Sequence, residues 1–552
     1  AGSPADIQKP SGASIAGRRS KKKKRRAGSP RKTTMTSILL LLLIMQVLHW
    51  ACTWRLYILA GQKAWQAAVP IYSAVILMRI LQRPWWWVIL LYVPVAGNVM
   101  ALVVWSDTCR AFGFRRVGQV ILTLITLGLF LAYINYGGRA RYDAHYRDHR
   151  QALDSSILGA IVFATVAASV IKAFTYEAYT IPTSSMEGSM LVGDFLFVNK
   201  MSYGTRIAMT PLSFPLVHDT IPVVKTRSYI RGVSLPYLRL PALRKIKHND
   251  IVVFNWPADS RDKPIDKRAN YIKRCVALPG DTLEIRLGEL YVNGQPQTWN
   301  QRARPQKEYR LTFPKAYYEP FRQLLKMGLE LSFLDTDAQG NEVVQAFLSQ
   351  ENLDKVKAMF PGVTAERLVL APGDPEGHAL FPSGSTYNRD NYGPLYVPRK
   401  GDTVLLTPEN LPQYRDIIEK YEGHTLEVLP DGILIDGEPA DRYTIAQDYY
   451  FMLGDNRDNS LDSRYWGYVP SDHIVGSPAM IWLSIAPDDG STPLFKRIRT
   501  ERVFSFPQGD DGPLRSYFWP IILVGGALYG GYEWWRRKRK KSKGEKTAQK
   551  KS

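Results

Sequence analysis

YIKRCVAL, residues 271 to 278, is a β-branched and aromatic run closed by Pro279, Gly280 and Asp281, with a lysine in its middle. Such a run between turn residues reads as a strand. The same character marks FLFV (195–198), DIVVF (250–254), TVLL (403–406), YFML (450–453) and AMIWL (479–483), which together predict a mainly β domain. Two stretches repeat one pattern, TLEIRLGELYVNGQP (282–296) and TLEVLPDGILIDGEPA (425–440), each ending an apolar strand with Asn-Gly or Asp-Gly as a hairpin does. Between the repeats the chain changes character, with helical candidates at Glu351 to Met359 and at Pro408 to Tyr421, the latter with Thr407 as N-cap. Residues 300–400 therefore read as an insertion in the β domain.

The formal net charge of +22 sits at the two ends. Residues 1–34 carry 11 Lys/Arg against Asp6, and residues 536–552 carry 10 against Glu545, so 19 of the 22 charges lie in two core-less tails. A nucleic-acid groove needs a folded basic face with interleaved aromatics, and neither tail supplies one, so no nucleic-acid partner is expected. Both tails abut apolar runs, Ser37 to Trp54 and Ser516 to Trp535, each near the length that spans a bilayer. Further candidate spans are Trp85 to Trp105, Val117 to Tyr136 and Ile157 to Tyr176; Ala67 to Met78 is shorter, contains Pro70, and reads as re-entrant or as a core helix. The arginine-rich loop 139–150 places itself in the cytoplasm by the positive-inside rule, which sends the region from about Thr180 to Arg515 to the exoplasmic side and both tails to the cytoplasm.

Cys52, Cys109 and Cys275 are too scattered for a disulfide framework or a zinc site, and the sequence implies no metal and no cofactor. Several hydroxyls stand together in YTIPTSSMEGSM (179–190), directly after an apolar segment and far from any of the eight histidines. A serine nucleophile needs a base, and a neutral lysine can replace histidine if burial lowers its pKa from about 10.4. Lys273 on its apolar strand is the candidate. Taken alone, a strand lysine more often faces solvent at a sheet edge.

Four stretches in order, IPTSSM (181–186), VGDFLFVNK (192–200), YIKRCVALPGD (271–281) and GDNRDNSLDSRYWGYVP (454–470), resemble the successive sequence boxes of the bacterial type I signal peptidases. The resemblance covers roughly residues 155–300 and 400–485. It implies a signal-peptidase-like β fold with several transmembrane helices, Ser185 as nucleophile and Lys273 as general base. Thr183 matches the hydroxyl that assists the Ser185 N–H in the oxyanion hole, and Ser460 the serine that orients the lysine amine. Asp455, Arg274, Asp462 and Arg464 match charged residues that brace the site. Ile181, Pro182, Met186, Tyr271 and Ile272 would border shallow pockets for small substrate side chains, or be ordinary core. The sequence departs from the family pattern at Thr183-Ser184, at Gly188-Ser189-Met190 and at Asn249-Asp250, which bears on pocket shape. FPSGST (381–386) mimics the nucleophile box and NRDN (388–391) echoes NRDN at 456–459, yet Ser385 follows no anchor and reads as a Gly/Ser turn. SRDK (260–263) matches a penicillin-binding-enzyme Ser-x-x-Lys without its Lys-Thr-Gly partner, and reads as a polar loop.

The expected organisation is a basic tail (1–34), a multi-span region (35–150), an anchor (151–178), the catalytic β domain in two parts (179–299 and 401–515) around the insertion (300–400), a C-terminal span (516–535) and a second basic tail (536–552). The expected activity is removal of signal peptides from exported preproteins at the outer face of a bacterial cytoplasmic membrane, with the lipid bilayer and the secretion machinery as further partners. The alternative is a non-catalytic membrane scaffold that keeps the fold, against which intact Ser185, Lys273 and Ser460 argue.

Overall fold

The computed structural model describes residues 35–147, 157–260, 262–430, 432–488, 490, 492–509 and 512–548. The basic tail 1–34, the 148–156 stretch that includes the end of the arginine-rich loop, and residues 549–552 lie outside the described residues.

The β domain is organised around a seven-stranded sheet. Its order is Tyr176–Thr180, Asp194–Asn199, Ile474–Ser484, Ile251–Asn255, Asn270–Ala277, Tyr449–Leu453, Val469–Pro470. Every pairing is antiparallel, and Val252 stands opposite Lys273 while Leu453 stands opposite Arg274. The period-2 alternation of a strand sends side chains to opposite faces. On one face Val252, Phe254 and Cys275 pack with Tyr203, Met452 and Trp466. On the other, Ile251 and Val253 pack with Ile181, Met186, Leu196 and Ile481. Both faces are therefore covered, which explains why these strands read as nearly continuous apolar runs.

The two repeated stretches each form a small antiparallel unit: Thr282–Arg286 pairs with Glu289–Val292, and Leu426–Leu429 with Gly432–Ile435. They share one core with Tyr449 and Phe451 of the main sheet. The intervening chain builds a four-stranded sheet, ordered Thr364–Arg367, Lys307–Phe313, Glu342–Leu348, Glu330–Thr336, with helices Pro320–Lys326 and Gln350–Met359. That subdomain has its own core of Leu311, Phe313, Val344, Leu353 and Val356. It ends before residue 400, because Tyr392–Tyr396 already pairs with Thr282–Arg286 in the catalytic domain. The second helical candidate becomes helical at Leu411–Asp416, and Thr407 caps the turn leading into it as expected: its Oγ1 accepts from the Asn410 N–H while Asn410 Oδ1 accepts from the Thr407 N–H.

The N-terminal region differs more from expectation. The run Trp85 to Trp105 is two helices, Trp87–Tyr92 and Ala96–Ala111, parted at Pro94 and at Val95, whose φ is 69°. Val117 to Tyr136 is likewise Val117–Ile125 and Phe130–Tyr136, bent by 119°. Leu127 and Gly128 both take positive φ at that bend, and a positive φ cannot continue a right-handed helix. Ala67 to Met78 divides between a 3₁₀ turn, Ala64–Ala67, and the helix Tyr72–Ile80. These pieces enclose a core that includes Leu56, Tyr57, Met78, Phe112 and Ile134. Arg83 and Asp107 form a buried pair within it, at 2.7 Å. Among the described residues one helix, over Leu42–Leu59, is long and apolar enough to cross a bilayer, or two if the bent pair counts as one span. The apolar helical stretch Gly159–Phe174 is shorter, and the chain turns into the first strand at Tyr176. The expected C-terminal span lies inside one helix, Phe518–Ala548, which is not among the described helices long and apolar enough to cross a bilayer.

Candidate active site

The strand Tyr176–Thr180 leads through Pro182 into a single 3₁₀ turn, Ser184–Met186, entered by Thr183 in an extended conformation. The turn lies against the strand Asn270–Ala277, and Lys273 Nζ is 2.6 Å from Ser185 Oγ. Nζ also donates to the Ile272 carbonyl at 3.2 Å. Residues 88 apart in sequence thus meet in one hydrogen bond.

Lys273 is 4% exposed. Burial pushes its ammonium down from 10.5 to about 8, against a weaker opposing pull from Asp462 and Asp455. That pull is weak for a structural reason: each carboxylate is engaged by an arginine. Arg274 donates through Nε and Nη2 to Asp455 at 2.7 and 2.5 Å, both groups being buried. Arg464 holds Asp462 in the same two-pronged way, at 2.9 and 3.0 Å. Burial raises the Asp455 carboxyl, and Arg274, with Arg457 and a hydrogen bond from Ser189, outweighs it and holds the group below its ordinary range. Arg274 also donates to the Asn249 carbonyl and to Ser189 Oγ, and Asp462 accepts from the Gly454 N–H, so both pairs fix backbone around the serine turn.

The polar loop that begins at Gly454 closes the site from the far side. Asn456 N–H donates to the Ser185 carbonyl at 3.1 Å. A Cβ on Gly454 would fall 2.1 Å from Ser460 Oγ and 2.5 Å from the Ser185 carbonyl oxygen, so the close packing here requires glycine. Ser460 is buried, and its hydroxyl has no hydrogen-bond partner among the described residues. Thr183 is exposed and its side chain caps nothing. Ile181, Met186 and Ile272 come together in one apolar cluster, with Met186 wholly buried. Tyr271 packs in the other cluster, its ring stacked on Trp256, and it still flanks the site, with Lys273 Nζ 5.5 Å from the ring centre. Pro182 is exposed beside the turn. The decoy FPSGST forms a turn in which Ser385 N–H donates to the Pro382 carbonyl.

Three contributors stand outside the residues singled out from sequence. Gly454 and Asn456 lie within the polar stretch that carried the resemblance, so they were within reach. Glu330 was not, because it belongs to the inserted subdomain. Its carboxylate accepts from Ser184 Oγ, Asn456 Nδ2 and Asn459 Nδ2, each at 2.7 Å. Nearby Glu187 is pushed up to about 7, chiefly by burial and next by Glu330.

The β fold and the comparisons with known proteins together define a serine endopeptidase. The chain belongs to the family described as "Signal peptidase, peptidase S26", whose sequence model matches residues 155–358 and 398–483. The match runs through most of the inserted subdomain, as far as the helix Gln350–Met359, further than the resemblance read from the motifs. Signal peptidase I of Buchnera aphidicola subsp. Acyrthosiphon pisum is 25% identical over 329 residues, covering 60% of this chain and 75% of that protein. Signal peptidase I of Pseudomonas aeruginosa is 25% identical over 341 residues, covering 60% and 72%. Signal peptidase I of Helicobacter pylori strain J99 is 26% identical over 366 residues, covering 65% and 93%. A second sequence model, a family of unknown function (DUF5684), matches residues 65–145, the helical body described above.

Proposed function

We propose that the chain removes signal peptides from exported preproteins with a Ser185/Lys273 dyad. The observation that carries this reading is the desolvated amine 2.6 Å from the serine hydroxyl. In the neutral form, Lys273 accepts the Ser185 proton as Oγ attacks the scissile carbonyl carbon. The oxygen of that carbonyl takes the negative charge, facing the Ser185 N–H and the Thr183 hydroxyl. Collapse breaks the C–N bond, and the Lys273 ammonium returns its proton to the departing amine. Lys273 then takes a proton from water as its oxygen attacks the ester carbon; the C–Oγ bond breaks and the ammonium returns that proton to Ser185 Oγ, which frees the acid product and restores the dyad. The resemblance gives Ser460 the task of orienting the amine, although its hydroxyl makes no hydrogen bond to Nζ in the structure, and the Arg274–Asp455 and Asp462–Arg464 pairs keep the surrounding backbone fixed. The cluster around Ile181 and Met186 admits only small substrate side chains.

The enzyme is held in a bacterial cytoplasmic membrane by more than one span, with the β domain exoplasmic and the tails cytoplasmic. The apolar helix over Leu42–Leu59 and the arginines before the anchor support this placement. The test is incubation of the detergent-solubilised chain with a preprotein, followed by sequencing of the product's new N-terminus. Wild type should yield one cut and Ser185→Ala none. A Ser185→Ala protein that still cuts at the same bond would refute the assignment.

A further inference from the structure

The serine turn is three residues long, and a turn that short does not hold its own geometry. One carboxylate ties it to the polar loop behind it. Glu330 opens the strand Glu330–Thr336 at the edge of the inserted sheet. Oε1 accepts from Ser184 Oγ and from Asn459 Nδ2, and Oε2 accepts from Asn456 Nδ2, all at 2.7 Å. Asn456 in turn donates through its side chain to the Ser184 carbonyl at 3.3 Å and through its backbone to the Ser185 carbonyl. Hydrogen bonds to an ionised acceptor are stronger than neutral ones, so Glu330 is the dominant link in this net. The sheet that carries it is anchored on the same loop through another of its strands, Lys307–Phe313, and the residue before it: Gln306 N–H donates to the Asp455 carbonyl, Arg457 N–H to the Gln306 carbonyl, and Glu308 N–H to Asp458.

We propose that Glu330 is a positioning residue for peptide-bond hydrolysis, fixing the Ser184–Ser185 turn so that the attacking hydroxyl and the Ser185 N–H keep one geometry. The inserted subdomain is thereby part of the reaction apparatus through Glu330. The proposal rests on the assignment of Ser185 and Lys273 made above. A misplacement of about 1 Å at a reacting atom costs about a hundredfold in rate, so the loss should appear in kcat.

The experiment measures kcat and KM for preprotein cleavage by the full chain in detergent, as wild type, Glu330→Ala, Glu330→Gln, Glu366→Ala and Ser185→Ala. Glu366 lies on the exposed side of the same subdomain, with 71% of its side chain accessible. Glu330→Ala should lower kcat by about thirtyfold or more with KM within about threefold, and Glu330→Gln should fall between, since an amide accepts through one oxygen only. Glu366→Ala should match wild type. Adding Ser184→Ala to Glu330→Ala should cost less than about twofold further, because both remove the same link. If Glu330→Ala does not fold, the near-isosteric Glu330→Gln decides. A wild-type kcat in the Gln variant, a loss confined to KM, or an equal loss in Glu366→Ala would overturn the proposal. Cleavage by Ser185→Ala would instead refute the underlying assignment.

Discussion

Replacing Lys273 with methionine should abolish cleavage and make the protein more stable at neutral pH. The lysine is buried among apolar groups with its charge partly opposed, and its amine falls from 10.5 to about 8. At about 1.4 kcal/mol per unit, that shift corresponds to about 3 kcal/mol that the folded state loses by burying the ammonium. Because the folded value is lowered, the penalty is complete below pH 8, shrinks between pH 8 and 10.5, and is gone above. Methionine has similar length and no charge, and its cost is the lost hydrogen bond to Ser185, about 1 kcal/mol. The net expectation is a gain of about 2 kcal/mol at pH 7 that vanishes by about pH 10.5. Chemical denaturation of both proteins across this range, followed by a probe in the β domain, reads the difference directly. A methionine variant less stable than wild type at pH 7, or a gap that does not close with rising pH, would show that Lys273 is not a strained, desolvated amine.

The remaining predictions concern the surroundings of that amine. Arg274→Met should destabilise the β domain by about 3–5 kcal/mol, because it strands the Asp455 carboxylate in a buried site, and Asp455→Leu should restore much of that loss; independent, additive losses in denaturation would refute the paired-charge account. Preproteins with Leu or Phe in place of Ala one and three positions before the cut should be processed poorly, and indifference to side-chain size in a substrate panel would refute the assignment of Ile181, Met186 and Ile272 to the pocket. Protease added to spheroplasts should degrade the 180–515 region and spare both tails; the reverse pattern would overturn the orientation.

How far the sequence could be read depended on the range of the interaction concerned. The strand Asn270–Ala277 was legible because β-branched residues between turn formers carry their own signal, and the hairpins because Asn-Gly and Asp-Gly specify a tight turn locally. Ser185 and Lys273 were legible through the resemblance, since nothing in either local stretch states that the two meet. Glu330 was not legible: an acidic residue at the start of an inserted strand has no sequence mark of the three donors that converge on it. The breaks inside the expected spans were missed for another reason: mean apolar character does not mark where a run bends, although Pro94 and Gly128, both helix breakers, stand at the two breaks.

The central claim is that a neutral Lys273 deprotonates Ser185, and single-turnover cleavage measured against pH tests it most directly. With the amine at about 8, the rate should climb about tenfold per unit at acid and neutral pH and level off above that value. Glu187→Gln should leave this limb in place, which separates it from the nearby carboxyl raised to about 7. Lys273→Arg keeps a positive charge that cannot be lost at any pH in the range, and should be inactive throughout. A flat wild-type profile, or an arginine variant that cleaves at near-normal rates, would contradict the account.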